Sequence, residues 1–433
     1  MQRRLAVILG LAFCMGTAAT RFGGDEPTQA GRKVKNQFLQ ILYTRDILGN
    51  AELCGCSPEQ KGGLPRMATV FHERQKPNLA TLKVDCGNFL PKSDDPWADI
   101  HGPQTIRGYQ ALGYDAINVG SVEAGYSVAE LRKLRDSGLP LVSANIGDAA
   151  GRLLFSPWRV ITKGDFKIAC IGLSAKGPAG EGVQLLPTEE ALKRLQPLLA
   201  KEKPDLVCIL GDFTVNEAVA VARNSREAHV ILSAKDLKFA PSTNAFIAPA
   251  SGQYGSLIGR ADLRRNGPTF EFEAELLPLT HAIAADAAVL KLVKEVGETA
   301  RRTITLSPHR LGALDDFANS LACKTCHARE YEIWEASRHS HAFDILKERE
   351  ATTRIDCVAC HVTGYRKRDA GYFAEHVGCE SCHGPGRKHI ELMTTGKGAG
   401  APLRAGKESC QKCHSELNSP IFTFEYYWSK IQH

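Results

Sequence analysis

With 433 residues, 43% hydrophobic and 24% charged, the chain has the composition of a soluble globular protein long enough for two domains of ordinary size. The formal charge of +6 is modest and Lys and Arg alternate with Asp and Glu, so no basic block points to a nucleic-acid partner. Fourteen cysteines, crowded toward the carboxyl end, make cysteine chemistry the feature to explain.

Residues 1–19 read as a secretory signal, with Arg3 and Arg4 before an apolar run from Leu5 to Phe13 and small residues from Gly16 to Ala19. The run is too short to span a bilayer, and no later segment reads as transmembrane. Leu11-Ala12-Phe13-Cys14 is a poor lipoprotein box, because Phe13 stands where a small residue is wanted. The expectation is an exported, periplasmic protein without a transmembrane segment; peripheral membrane association is compatible with it.

Strands and helices alternate over residues 36–280. Phe38–Tyr43, Ala80–Val84, Ala116–Val119 and Leu141–Ala144 read as strands, with helices at Thr105–Leu112 and Val128–Ser137 between them. Trp158–Ile161 and Lys167–Leu173 form a hairpin around Gly164, and Glu189–Ala200 is a helix. Leu206–Leu210, Val230–Leu232 and Phe246–Ala248 are further strands, and a last hairpin joins Leu257–Leu263 to Thr269–Leu276 across Asn266-Gly267. Mixed alternation with hairpins predicts a layered α/β sandwich.

The motifs Gly62–Val70, Val84–Phe89, Ala111–Gly120, Pro140–Ile146, Asp205–Asp212 and Ser256–Leu263 resemble, in order, the exported 5′-nucleotidase-like calcineurin-type metallophosphoesterases. That resemblance implies two metals held by an Asp-x-His, a Gly-Asp, a Gly-Asn-His-Glu and a late Gly-His-x-His. This chain has Asp46-Ile47-Leu48, Gly87-Asn88, Gly120-Ser121-Val122-Glu123 and Leu232-Ser233-Ala234-Lys235 instead. A two-metal site needs those imidazoles and carboxylates to hold ions about 4 Å apart, so the domain is expected to be a degenerate relative, serving docking or accessory roles rather than phosphoester hydrolysis. Cys54 and Cys56 follow the first strand and Cys86 the second, so the three could gather at the mouth of the old site. They are either a structural disulfide with a third buried thiol or a redox or metal-binding group. Cys170 and Cys208 sit in apolar strand runs and read as core.

Residues 281–317 form a connection: Ala285–Thr299 has apolar residues at helical spacing, and a polar stretch with Pro308 follows. Residues 318–433 then carry Cys-x-x-Cys-His four times: Cys323, Cys326 and His327; Cys357, Cys360 and His361; Cys379, Cys382 and His383; Cys410, Cys413 and His414. The spacing places two sulfurs on one side of a turn, within reach of two vinyl groups of one porphyrin, and the following histidine under the ring centre. Four CxxC pairs could instead build two zinc sites, but zinc requires no histidine after every pair. Four covalent haem c groups are therefore expected, wrapped by short helices and loops, with the porphyrins supplying the apolar interior.

The same residues, with Trp334–Phe343, Val377–His389 and Cys410–Phe424, resemble the tetrahaem cytochrome c-554 family across the whole region. Besides the motif histidines, the resemblance implies distal iron ligands at His339, on a helix running from the first motif, at His389 and at His433. His341, His376 and His309 are reserves for the fourth iron, which the family leaves open. The expected function is electron transfer among redox partner proteins. The alternative is a periplasmic oxidoreductase acting on a small substrate through an open haem or through Cys54, Cys56 and Cys86.

Overall fold

The computed structural model describes residues 37–433 except 53–60, 96, 226, 235–239, 242–244, 250–252, 267–268, 304–307, 312–315, 399–403, 415–417 and 420. The proposed signal, Cys54 and Cys56 lie outside the described residues.

The amino-terminal region is built from β1 (Phe38–Thr44), α1 (Leu64–Arg74), β2 (Ala80–Asp85), α2 (Ala98–Leu112), β3 (Ala116–Asn118), α3 (Val128–Arg135), β4 (Leu141–Val142) and β5 (Ile146–Asp148). There follow β6 (Trp158–Lys163), β7 (Phe166–Leu173), β8 (Val183–Leu185), α4 (Thr188–Glu202), β9 (Leu206–Gly211), α5 (Val215–Asn224), β10 (Val230–Ala234), β11 (Ala240–Pro241), β12 (Phe246–Pro249), β13 (Leu257–Asn266) and β14 (Thr269–Pro278). One sheet has the order β14-β13-β1-β2-β3-β4 and the other β11-β12-β10-β9-β7-β6. In the first sheet β1, β2, β3 and β4 pair in parallel while β13 runs antiparallel to both β1 and β14; in the second β12, β10, β9 and β7 pair in parallel and the edge strands β11 and β6 are antiparallel.

Alternation of side chains explains the layering. Ile41, Tyr43, Leu82 and Val84 of the first sheet meet Phe166, Ile168, Leu206, Leu210 and Val230 of the second in one buried cluster between them. The outer face of the first sheet is covered by α1 and α2, and that of the second by α4 and α5. The expected sandwich is thus observed as four layers.

Two helices had no sequence expectation. In α1, Pro65 sits in the first turn and Leu64, Met67, Ala68 and Phe71 form the buried face. In α5, Thr214 and Glu217 close a reciprocal capping box. The connecting helix α6 (Ala287–Thr303) packs on α1 and α2; Gly297 permits the approach, since a Cβ there would lie 2.2 Å from Gln104 Nε2.

Beyond it come α7 (Ser320–Lys324), α8 (Ala328–Glu335), α9 (Asp344–Glu348), α10 (Ile355–His361), α11 (Cys379–His383), α12 (Arg387–Thr394), α13 (Lys407–Gln411) and α14 (Phe424–Trp428). Helices α7, α8, α12, α13 and α14 bury no residue. A small apolar cluster of Phe343, Leu346, Ala351, Val358, Val362 and Tyr372 forms around the second motif.

Candidate functional sites: a sealed strand-end cluster and a histidine-paired cytochrome region

The carboxyl ends of parallel strands are where α/β sheets place ligands, and here the strand ends are filled from within. Arg45, directly after β1, is wholly buried. Its guanidinium donates to the Ser233 carbonyl near the end of β10 and, at 3.2 Å, to the Asp212 carbonyl after β9, and Nε lies 3.2 Å from Asp46 Oδ2. Asp46 Oδ1 accepts from Asn88 Nδ2 at 2.7 Å, and Asn88 Oδ1 accepts from the Val122 amide at 3.0 Å. Asp212 accepts from the amides of Ser121 and Ala175 and from the Ser121 hydroxyl.

The metal pair implied by the phosphoesterase resemblance does not fit this cluster. A fixed guanidinium charge holds its centre, Leu48 replaces an imidazole, and the remaining oxygens are engaged by donors. Among the described residues no group of three or more His, Cys, Asp or Glu side chains is arranged to hold a metal. The loop geometry persists all the same: Asp46, Leu48 and Asn88 all have left-handed backbone, at φ 52°, 51° and 61°, a strain typical of functional loops.

Two carboxyls below this cluster are fully buried. Desolvation pushes Asp85 up to about 7, although Thr44 Oγ1, Tyr109 OH and the Gly87 amide donate to it at 2.6, 2.9 and 2.8 Å. Desolvation likewise raises Glu123 to about 8 against donation by the amides of Asn88, Leu90 and Gly120. Cys86 lies in the core between the sheets, where burial raises its thiol pKa well above the ordinary range. Of the two readings of these cysteines, Cys86 fits the buried third thiol and does not line a mouth: the strand alternation that continues past β2 turns it inward. Cys170 and Cys208 are core residues, as read.

In the carboxyl-terminal region each motif forms a helical turn. His327 and His414 donate backbone N–H bonds to Cys323 and Cys410 carbonyls at 2.9 Å, and the other two motifs lie on α10 and α11. The Cys323 thiol lies beside that of Cys379, and the Cys360 thiol beside that of Cys413, so the first motif neighbours the third and the second the fourth. Glu380, inside the third motif and buried, accepts from the amides of Ala318, Asn319 and Gly386 at 2.9, 2.9 and 2.7 Å. It ties that motif to the segment entering the first.

Three motif histidines each face a histidine from outside the motifs. Ring centroids are 6.3 Å apart for His327 and His389, 6.1 Å for His414 and His339, and 5.6 Å for His383 and His433. Two imidazole nitrogens each about 2 Å from one metal put the ring centroids about 6 Å apart, so these pairs fit an iron between them. All fourteen histidines are among the described residues, and among those residues no ring contact involves His361; its Nδ1 meets the Ala342 carbonyl.

His339 sits on a single 3₁₀ turn, Arg338–His341, rather than on a helix running from the first motif, because Ser337 caps a new turn there. That turn directs His339 toward His414 and leaves His341 71% exposed beside Asp344. His376 accepts from the Phe343 amide through Nδ1, and His309 is exposed on a short strand beside Gly371.

The second motif is also where the two regions meet. Arg301 of α6 reaches Asp356 at 2.9 Å and Glu52 at 3.5 Å, and Arg354 reaches Asp356 at 3.0 Å and Glu52 at 3.4 Å. Burial would raise the Asp356 carboxyl, but its hydrogen bonds and charge contacts with the two arginines outweigh it and hold it at about 2. Beside them Ile100, Ile355 and Ala370 pack with Trp97, Ala300 and Tyr365. Sequence reading had singled out none of Arg45, Glu52, Arg301, Arg354, Asp356 and Glu380. The one available signal was Arg-x-Asp directly before the second motif.

Fold and site together define the class: an α/β/β/α sandwich of the phosphoesterase type followed by a c-type cytochrome region. Residues 322–384 match the family described as Cytochrome c554 and c-prime, which carries covalently bound haem c. The cytochrome c-554 of Nitrosomonas europaea is 33% identical over 121 residues, 23% of this chain and 51% of that protein. Protein UshA of Salmonella pullorum is 27% identical over 329 residues, 64% of this chain; the chain spans only 57% of its length. The solved 5′-nucleotidase precursor of Thermus thermophilus superposes with a TM-score of 0.52 at 17% identity, over 72% of this chain and 68% of its own, a likeness of fold. No described helix is long and apolar enough to cross a membrane.

Proposed function

We propose that the protein is an exported electron carrier with four covalently attached haem c groups, passing electrons between redox partner proteins. The observation that carries this reading is the pairing of His327, His414 and His383 with His389, His339 and His433 at haem-spanning separations. Bound haem supplies one-electron redox chemistry at iron, with the axial ligands and the surrounding charge setting its potential. The chain's part is to present four thiol pairs for attachment, to hold three irons between two imidazoles, and to position His361 through the Ala342 carbonyl. The amino-terminal domain serves as a docking or accessory module whose old metal site is closed by Arg45.

A second reading rests on His361 having no histidine opposite it: that iron would keep one face open to a small molecule, making the protein an oxidoreductase. Optical and electron paramagnetic resonance redox titration of the holoprotein tests both. Four haems per chain with a c-type α-band and low-spin ferric signals are expected, and zinc with no α-band would overturn the proposal. A high-spin ferric component favours the second reading, and its absence removes it.

A further inference from the structure

The ion cluster at the junction engages only one of the four motifs. Glu52 comes from the loop after β1, Arg301 from α6, Arg354 from the N-cap of α10 and Asp356 from its first turn; α10 carries Cys357, Cys360 and His361. Arg301, Glu52 and Asp356 side chains are only 8%, 12% and 8% exposed. Gln104 of α2 fastens the arrangement, donating to Glu52 at 3.0 Å and to the Val293 carbonyl at 2.9 Å. At the position of Asp356, directly before the first cysteine, the other motifs carry Ala322, Gly378 and Ser409. Arg301 also meets Glu298 at 3.1 Å, but that carboxylate is 52% exposed; the remaining two guanidiniums and two carboxylates balance, so neutralising one of them leaves a net charge, little screened by water and salt, next to a haem attachment point.

Building on the haem assignment above, we infer that Glu52 and Arg301 of the amino-terminal part are positioning residues for the second haem alone, setting its reduction potential through Arg354 and Asp356. The amino-terminal region is then part of that haem's electrostatic environment and more than a tether. Reduction adds one electron to the iron site. Loss of a nearby negative charge therefore favours the reduced form, and loss of a nearby positive charge favours the oxidised form.

The test is a potentiometric titration of the full-length holoprotein, following four components optically and by electron paramagnetic resonance, for wild type, Glu52→Gln and Arg301→Gln. Glu52→Gln should raise one component by about tenfold in its reduction equilibrium, which is about 59 mV for one electron. Arg301→Gln should lower the same component, and the other three should stay within a few-fold of wild type in both. Asp356→Asn, expected to act like Glu52→Gln, replaces it if that variant does not accumulate. The inference fails if all four components stay put, if several move together, or if the acid and arginine variants shift the same component in the same direction, as a purely structural disturbance would. Absence of the α-band from the wild-type protein would instead defeat the haem assignment itself.

Discussion

The two regions are held together in opposite ways. The sandwich buries Ile41, Leu82, Ile168, Leu210 and their neighbours between and outside two sheets, and even its former ligand site is stitched internally by Arg45, Asn88 and Asp212. Among the described residues, the cytochrome region has a small local cluster of six buried residues, and five of its eight helices bury none. Below a certain apolar core, a fold needs another source of order such as a metal or covalent cross-link. The contrast teaches that one region carries its own interior while the other has the thin core expected of a frame for the haem groups proposed above.

The strongest way to break that contrast is to prevent haem attachment. With Cys379 and Cys382 changed to Ser, the region from residue 318 onward should become protease-sensitive while residues 37–280 survive; limited proteolysis followed by mass spectrometry reads this. Equal resistance of both regions would refute it.

A smaller effect concerns the buried carboxyls of the sandwich. The native state keeps the Asp85 proton up to about pH 7, whereas an unfolded chain releases it near about pH 4. Between those values the native state binds more protons, so stability falls as pH rises and levels off above about 7, by at most about 4 kcal/mol. Glu123 adds a fall in the same direction that levels off near 8. Urea unfolding of the sandwich across pH should show the slope, and Asp85→Asn should flatten its lower part.

Arg45→Met should cost about 3 kcal/mol, because it strips the cation from Asp46 and orphans the Ser233 and Asp212 carbonyls. Millimolar manganese should not raise the unfolding temperature of the wild-type sandwich; a rise of several degrees would mean the site still takes metal.

The finest distinction lies within one 3₁₀ turn. His339→Ala should add a high-spin ferric signal by removing the partner of His414, while His341→Ala should leave the spectrum unchanged. The reverse result would reassign the ligand.

Much of this was legible in residue order. The strand expectations at Phe38–Tyr43, Ala80–Val84, Lys167–Leu173 and Leu206–Leu210 match β1, β2, β7 and β9 closely, since buried parallel strands show as short apolar runs. The α5 helix was missed although its Thr214…Glu217 capping box was in view, and α1 because its apolar face was absorbed into a motif match. The two readings of Cys86 stayed open in the sequence because spacing along the chain says nothing about which face a strand-end residue takes, and the structure chose the buried one.

By itself, the order of residues determined the four Cys-x-x-Cys-His motifs, the loss of the phosphoesterase ligands and the two family resemblances. These depend on spacing, residue type and local periodicity, which a linear chain displays in full. Only tertiary structure decided which histidine meets which, that Arg45 fills the old metal site, and that Glu52 and Arg301 close on the second motif. Those partners lie far apart in sequence, from 50 residues for His383 and His433 to 302 for Glu52 and Arg354, and nothing local in either member announces the other.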